Sequence, residues 1–246
     1  MSIITSRKNF FESDEDNSQL RQLEQIIDIR NGMSILEIGC GSGHELKRLC
    51  ENKAVTALGI DSSSQHITQE DSPDTENIKF IVDNAETFNL TEKFDRILIK
   101  LTLHLLTNKR IALQNAFEHL KPNGRLVIVL HSDKSEPKLQ TWIAWFMDLY
   151  NCHLYYRPEL TFERDNKLFD DFEIVSRQLI TVSKKITNPD LYLQHLDDLK
   201  NKFRPKLVDY QWQSFIDYAE RNMKNEIRKR GQFEEISVLG AIIITK

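Results

Sequence analysis

The chain lacks the marks of several protein classes, and each lack narrows the reading. Cysteine is scarce: Cys40, Cys50 and Cys152 are an odd set among 246 residues, with no C-x-x-C pair. That fits a reducing compartment better than a disulfide framework. No apolar run approaches the roughly 18 residues that a membrane span needs. Positive charge is not in excess, since 33 Lys and Arg stand against 37 Asp and Glu for a formal net charge of -4. A nucleic-acid surface would want a basic face. The stretch from Met1 to Asn17 is polar and turns acidic, unlike a secretory leader. Repeats and low-complexity tracts are missing too. What remains is an ordinary globular composition, 40% hydrophobic and 28% charged. The length suits one large domain or one domain with an inserted cap.

Apolar periodicity orders the chain. Leu20, Leu23, Ile26 and Ile27 stripe a helix over Gln19–Ile29, and Asn31-Gly32 turns into a first strand, Ser34–Ile38. Ala54–Ile60, Ile78–Val82, Phe94–Ile99 and Arg125–Leu130 read as further strands, with a helix over Asn108–Leu120 stopped by Pro122-Asn123-Gly124. Near-continuous apolar strands alternating with helices predict a parallel sheet covered on both faces. Phe172–Thr181 and Val238–Ile244 are two late strands. Between them and the fifth strand lie helical insertions, Lys138–Asn151 and two helices within Pro189–Arg230. These insertions are expected to pack together above the carboxyl ends of the strands, where open α/β sheets bind ligands.

The most informative segment is Ser34-Ile35-Leu36-Glu37-Ile38-Gly39-Cys40-Gly41-Ser42-Gly43. A buried strand ends in a glycine turn and a helix follows. Glycines there let the backbone turn sharply and approach a ligand. A dinucleotide fingerprint would need glycine at position 44, where His44 stands. The E-x-G-x-G-x-G pattern resembles instead motif I of the class I S-adenosylmethionine-dependent methyltransferases. Phe94-Asp95-Arg96-Ile97-Leu98-Ile99-Lys100 through His104-Leu105-Leu106 resembles the family's motif IV. The resemblance covers about half the chain, from Gln19 to Leu130.

The resemblance implies an α/β fold: a seven-stranded doubly wound, mostly parallel sheet, Rossmann-like, with helical cap insertions. The last strand would be antiparallel. It implies a single methyltransferase domain over 1–246. The core would take about 19–135, 170–186 and 233–246, and the cap about 136–169 and 187–232. S-adenosylmethionine would be held by Glu37, Gly39, Cys40, Gly41, Gly43, Asp61, Ser62, Asn84, Ala85, Ile99 and Lys100. In this assignment Glu37 meets the cofactor's ammonium and the turn's backbone amides meet its amino-acid end. Asp61, 18 residues after Gly43, takes the ribose hydroxyls, and equally suits an N-cap for a helix near Ser64. Asn84-Ala85 stands where the family has Asp-Ala beside the adenine. A neutral carbonyl accepts more weakly there, Asp83 is an alternative, and an Asx turn explains the same residues. Phe11 is a candidate to cover the cofactor.

Lys100 is unusual beside a sulfonium, because like charges repel. It reads as a solvated strand-end lysine or as a receptor for a substrate carboxylate. His131 follows the fifth strand and is the one tentative catalytic residue, able as a neutral imidazole to take a proton, or else a plain strand-end histidine. His104 reads as a packing residue, and Trp142, Trp145, Tyr218 and their aromatic neighbours as helix packing. The expected function is methyl transfer to a small-molecule oxygen or nitrogen acceptor, in the cytoplasm, with no metal, no nucleic acid and no membrane. The alternative is a non-catalytic S-adenosylmethionine-binding or scaffold protein with the same fold. A nicotinamide-dependent oxidoreductase is a third reading, opposed by His44.

Overall fold

The computed structural model describes residues 14–67, 76–136, 138–150, 160–164, 167–190, 193 and 207–246. Its strands are β1 (Ser34–Ile38), β2 (Thr56–Asp61), β3 (Ile78–Val82), β4 (Phe94–Lys100), β5 (Leu120–His131), β6 (Ile174–Ile186) and β7 (Phe233–Thr245). Its helices are α1 (Asp14–Ile27), α2 (His44–Cys50), α3 (Ser64–Ile67), α4 (Lys109–Glu118), α5 (Lys138–Leu149) and α6 (Asp209–Arg230), with a 3-10 turn at Leu103–Leu105. The strands form one seven-stranded sheet in the order β3-β2-β1-β4-β5-β7-β6. The first five run parallel where they pair, and β7 runs antiparallel to β5. This is the sheet the sequence predicts, with α5 inserted before β6 and α6 before β7. The described residues fall into two compact units, one within 20–133, 158–180 and 239–246, the other within 1–19, 134–157 and 181–238. Among them, no helix is long and apolar enough to cross a membrane.

Alternation along the central strands feeds two cores in the first unit. Leu36, Ile38, Ile97, Ile99, Leu126 and Ile128 meet Ala112, Leu113 and Ala116 of α4. On the other face Leu98, Val127 and Val129 meet Leu23, Ile26 and Ile27 of α1 and Leu49 of α2. Both faces are covered, so the strands need apolar residues at every position rather than every second one. Each fully buried aliphatic side chain contributes about 1.5–3 kcal/mol. Glu37 breaks the pattern as a buried carboxyl in the middle of β1.

The C-terminus of α1 is held by two arginines that are register partners on β4 and β5, Arg96 and Arg125. The Arg96 Nε–H donates to the Ile27 carbonyl at 2.6 Å and an Arg125 Nη1–H to the Ile26 carbonyl at 3.0 Å. Cations there satisfy helix-end carbonyls and complement the helix dipole. In the second unit, Ile143, Phe146 and Met147 of α5 pack against Trp212, Phe215 and Ala219 of α6. Rings meet edge to face, Trp142 on Tyr218 with centroids at 5.8 Å and Phe146 on Phe215 at 5.5 Å. The Glu235 carboxylate on β7 accepts the Lys138 and Leu139 N–H groups, which caps α5 from outside the helix.

The two late strands run further than the apolar pattern suggests, each over 13 residues. Burial along β6 is sparse, as suits a strand at the end of the sheet order, so polar residues such as Ser176-Arg177-Gln178 hide its length. Helix α1 ends at Ile27 rather than Ile29, because Asp28 adopts a left-handed conformation at φ 53° and closes the helix. Phe11 and the first helix expected after Pro189 lie, wholly or in most part, outside the described residues.

The arginine clamp is testable. Arg96→Met keeps an apolar stem and removes the donors to a buried helix end, so a loss of about 1.5–3 kcal/mol is expected. Urea unfolding would read it as a lower midpoint at unchanged slope. A midpoint equal to wild type would mean that the α1 carbonyls need no donor from β4.

Candidate functional site

The carboxyl ends of β1, β2, β3 and β4 meet around a cleft of about 190 Å³. Gly39, Ile60, Asp61, Ser62, Asp83, Asn84, Ala85, Glu86, Thr102, Leu105, Leu106 and Thr107 line it. Five residues expected at a cofactor are among them: Gly39, Asp61, Ser62, Asn84 and Ala85. Glu37, Cys40, Gly41, Gly43, Ile99 and Lys100 are not. Ile99 is fully buried in the sheet core, and a Cβ on Gly43 would stand 2.3 Å from the Phe80 ring. His131 also lies outside the lining.

The turn after β1 is shaped by what presses on it. Gly39 has φ 75°, and a Cβ there would come within 2.3 Å of Thr102, so position 39 must be bare. The Thr102 hydroxyl lies 3.3 Å from the Gly39 carbonyl and 3.0 Å from the Lys100 carbonyl, able to donate to either. Gly41, at φ 55°, has nothing within 4 Å of where a Cβ would lie. Its backbone faces open space, the condition for close approach by a ligand.

The turn's amides are engaged within the protein. The Gly39 and Cys40 N–H groups both donate to the Ile60 carbonyl, at 2.7 and 3.0 Å, and the Gly43 N–H donates to the Cys40 carbonyl. The Gly41 N–H donates to the Asp61 carboxylate at 2.9 Å. The other Asp61 oxygen accepts the Ser63 N–H at 2.9 Å and lies 3.2 Å from His66 Nδ1. Asp61 thus steadies the start of α3 and the glycine turn together. These four amides of the turn expected at the cofactor's amino-acid end already have partners within the protein.

Asn84 makes the Asx turn that the sequence allows. Its Oδ1 accepts the Glu86 N–H at 2.8 Å, and its own N–H donates to Asp83 Oδ1. Glu86 carries no signal in the sequence. Its carboxylate accepts the Thr107 and Asn108 N–H groups, at 3.0 and 2.9 Å, and these bonds hold it below the usual carboxylate range. It ties the loop after β3 to the one before α4. Leu105, 66% exposed, offers an apolar lip to the cleft. Thr102, Leu105, Leu106 and Thr107 come from a loop without periodicity, and no spacing signals them.

Behind the turn sits a buried carboxyl. Glu37 is 3% exposed, and its Oε2 is buried without a hydrogen-bond partner. Burial pushes its carboxyl up to about 8, the Glu45 and Asp61 charges adding to the rise, while Lys100 and the Leu46 N–H oppose it. Lys100 pairs with Glu45 on α2 rather than standing solvated. Cys40 and Cys50 are buried, and burial pushes both thiols up, Cys50 to about 11, so neither is a nucleophile at neutral pH. His131, at the end of β5, meets His104 edge to face with centroids at 5.4 Å. Burial lowers both imidazoles, which keeps them neutral near pH 7.

A family model described as "Methyltransferase domain" matches residues 29–153. Trans-aconitate 2-methyltransferase of Deinococcus radiodurans is 26% identical over 116 residues, 47% of this chain and 44% of that protein. The ubiquinone/menaquinone biosynthesis C-methyltransferase of Vibrio cholerae is 30% identical over 133 residues, 51% of this chain and 50% of that protein. The chain therefore spans half or less of the length of these curated relatives. A putative methyltransferase from Bacillus halodurans superposes at a TM-score of 0.58 with 14% identity, over 93% of this chain and 99% of that one. The cyclase SpnF superposes equally well, at 0.58 with 15% identity over 93% and 81%.

The Glu37 carboxyl has a stability consequence of defined sign. Its pKa in the fold lies above that of an exposed glutamate, so the folded chain keeps a proton that the unfolded chain releases. The stability this confers is lost as pH rises from about 4.5 to about 8. Glu37→Gln removes the titration. Relative to wild type, the variant is expected to gain on the order of a few kcal/mol between pH 5 and pH 8. Chemical denaturation at both pH values measures it, and parallel profiles for the two proteins would refute it.

Proposed function

The chain belongs to the methyltransferase domain family, and from this premise we propose that it moves a methyl group from S-adenosylmethionine to a small-molecule oxygen or nitrogen acceptor. One observation carries the reading. A cleft with an acidic end at Asp61 and a bare main-chain floor at Gly39 adjoins a buried carboxyl, Glu37, with an unfilled acceptor site. Those are the features that an adenosyl group joined to an amino acid would need.

The residues present fit that cofactor. Asp61 keeps acceptor capacity on the oxygen that takes the Gly41 N–H and, where His66 yields its place at 3.2 Å, on the other, and would take the ribose hydroxyls. Leu105, Leu106, Ile60 and Ala85 are apolar lining residues of the cleft and would enclose a flat base. Asn84 Oδ1 and the Asp83 carboxylate remain candidate acceptors for the adenine amino group. Glu37 would meet the ammonium, and the backbone at Gly41 leaves room for the chain between. When bound, the cofactor supplies an electrophilic methyl on a sulfonium. The protein's part is alignment, which is worth roughly 7–11 kcal/mol when a nucleophile is held near attack geometry. His131, neutral and backed by His104, would take the acceptor's proton.

One observation favours a second reading. A fold neighbour is a cyclase, so the fold alone does not fix methyl transfer. Binding without transfer to any carboxylate, phenol or amine acceptor would support a non-catalytic or differently catalytic protein.

The first test is binding. S-adenosylhomocysteine should release heat and raise the melting temperature, whereas a nicotinamide dinucleotide should do neither. An ammonium on Glu37 would ionise a carboxyl that is largely protonated at pH 7. Titrations in buffers of differing ionisation enthalpy should therefore reveal about one proton released per ligand at pH 7, and few at pH 9.5. Absence of heat and of thermal shift at millimolar ligand would end the proposal, and binding without proton release would remove Glu37 from it.

A further inference from the structure

The proposed cofactor contacts give the pairing of Lys100 with Glu45 no role. Lys100 closes β4, Glu45 opens α2, and their side chains pair while only 13% and 26% exposed. Glu37 is the register partner of Leu98, and Lys100 follows Leu98 by two residues, so Glu37 and Lys100 project from the same face of the sheet. Both members of the pair act on the Glu37 carboxyl, in opposite directions. Asp61 is the other charge facing it, and the Leu46 N–H donates to it. Side by side, then, stand a carboxyl with an unfilled buried acceptor and a lysine already holding a carboxylate. A lysine and a glutamate so placed match the two ends of an α-amino-acid zwitterion.

We propose that Lys100 is the receptor for the carboxylate at the amino-acid end of the cofactor, and that Glu45 is a built-in stand-in which holds Lys100 until that carboxylate displaces it. This rests on the cleft being an S-adenosylmethionine site and assigns a residue and a competition within it. The exchange answers the difficulty of a cation near a sulfonium. Lys100 is neutralised by Glu45 before binding and by the ligand's carboxylate afterwards, so the sulfonium meets an ion pair and not a bare charge. Lysine suits such an exchange, since its point charge rides on a flexible four-carbon stem. Glu45 competes from within the molecule and so lowers the apparent affinity by the fraction of lysine it occupies. Released, it is partly exposed and returns to water at small cost.

Three ligands separate the parts: S-adenosylmethionine, its decarboxylated form, and 5′-methylthioadenosine, which lacks the amino-acid end altogether. Wild-type protein is expected to bind S-adenosylmethionine at least about tenfold more tightly than the decarboxylated form, the usual scale of a charge-assisted pair. Lys100→Met should erase that preference and leave the other two ligands within about twofold of wild type. Glu45→Gln should strengthen S-adenosylmethionine binding several-fold and leave 5′-methylthioadenosine unchanged. Each variant's melting temperature checks its fold. Equal weakening of all three ligands in Lys100→Met would mark a structural lysine and overturn the proposal. So would a carboxylate preference that survives Lys100→Met, the outcome if Lys100 serves an acceptor's carboxylate, or weaker binding in Glu45→Gln. Wild-type protein that binds 5′-methylthioadenosine without preferring the carboxylated ligand overturns this proposal and leaves the cleft reading standing. Wild-type protein that binds none of the three overturns both.

Discussion

The turn after β1 has to pass between two side chains that leave it no room for its own. Thr102 presses on Gly39 from the end of β4, and the Phe80 ring presses on Gly43 from β3. Only a chain without Cβ atoms at those places lets β1, β3 and β4 close together, and closing them is what forms the cleft. The same packing fills the register position opposite Glu37. Gly59 lies there on β2, and a Cβ would meet Phe80 at 2.6 Å and the Cys40 sulfur at 2.8 Å. Sterics, hydrogen bonding at Asp61 and burial of Glu37 are thus one constraint seen from three sides. The strand ends can approach only if the turn is bare, and once they approach, a carboxyl between them is cut off from water.

That carboxyl costs stability in the free protein. A buried acid with one oxygen unsatisfied is unfavourable in the free protein. Ile35, two residues back on the same face of β1, is apolar and fully buried, which shows what that face accepts. Elsewhere polar groups are closely satisfied: Arg96 and Arg125 at the α1 terminus, Glu235 at the α5 terminus and, nearer the surface, Glu86 across two loops. Unfinished hydrogen bonding at Glu37 therefore stands out against careful completion around it. Strain points to the same place. Leu101, between Lys100 and Thr102, takes φ 50°, a conformation that a bulky residue adopts only where its surroundings force it.

Much of this was legible in the sequence because buried parallel strands announce themselves. Ile97-Leu98-Ile99 or Val127-Ile128-Val129 has few other fates in a chain with 28% charged residues, and the glycines after Ile38 mark the turn. Glu37 and Asp61 were readable by spacing, since both end or lie in short strands whose register leaves one place for them. The loop residues Glu86, Thr102 and Leu105 were not. Their roles depend on contacts across 21 residues for Glu86 and Thr107 and 63 for Thr102 and Gly39, and neither pairing has a local pattern. Lys100 shows a different limit. Its position at a strand end was clear, but its partner Glu45 lies 55 residues away on a helix, and charge pairing at that distance leaves no trace in composition. The length of β6 was hidden because a strand at the end of the sheet order can afford polar residues.

The hydrogen bonds of the glycine turn also decide which ligands suit it. In phosphate-binding turns the backbone amides point outward and the anion completes them. Here the amides of Gly39 and Cys40 are spent on Ile60, that of Gly43 on Cys40, and that of Gly41 on the Asp61 carboxylate. The cleft also carries Asp61, Asp83 and Glu86 on its wall. A pyrophosphate would find those four donors engaged and three carboxylates nearby, and would be repelled at this range. A ligand with hydroxyls, a flat base and a cation meets the opposite situation, because each of those groups seeks an acceptor or an apolar surface. The glycine pattern common to nucleotide folds is therefore turned, by its own internal bonding, from a cradle for anions into a scaffold for carboxylates. That inversion argues against a dinucleotide more directly than His44 does, because it names the groups that a phosphate would need and shows them already in use.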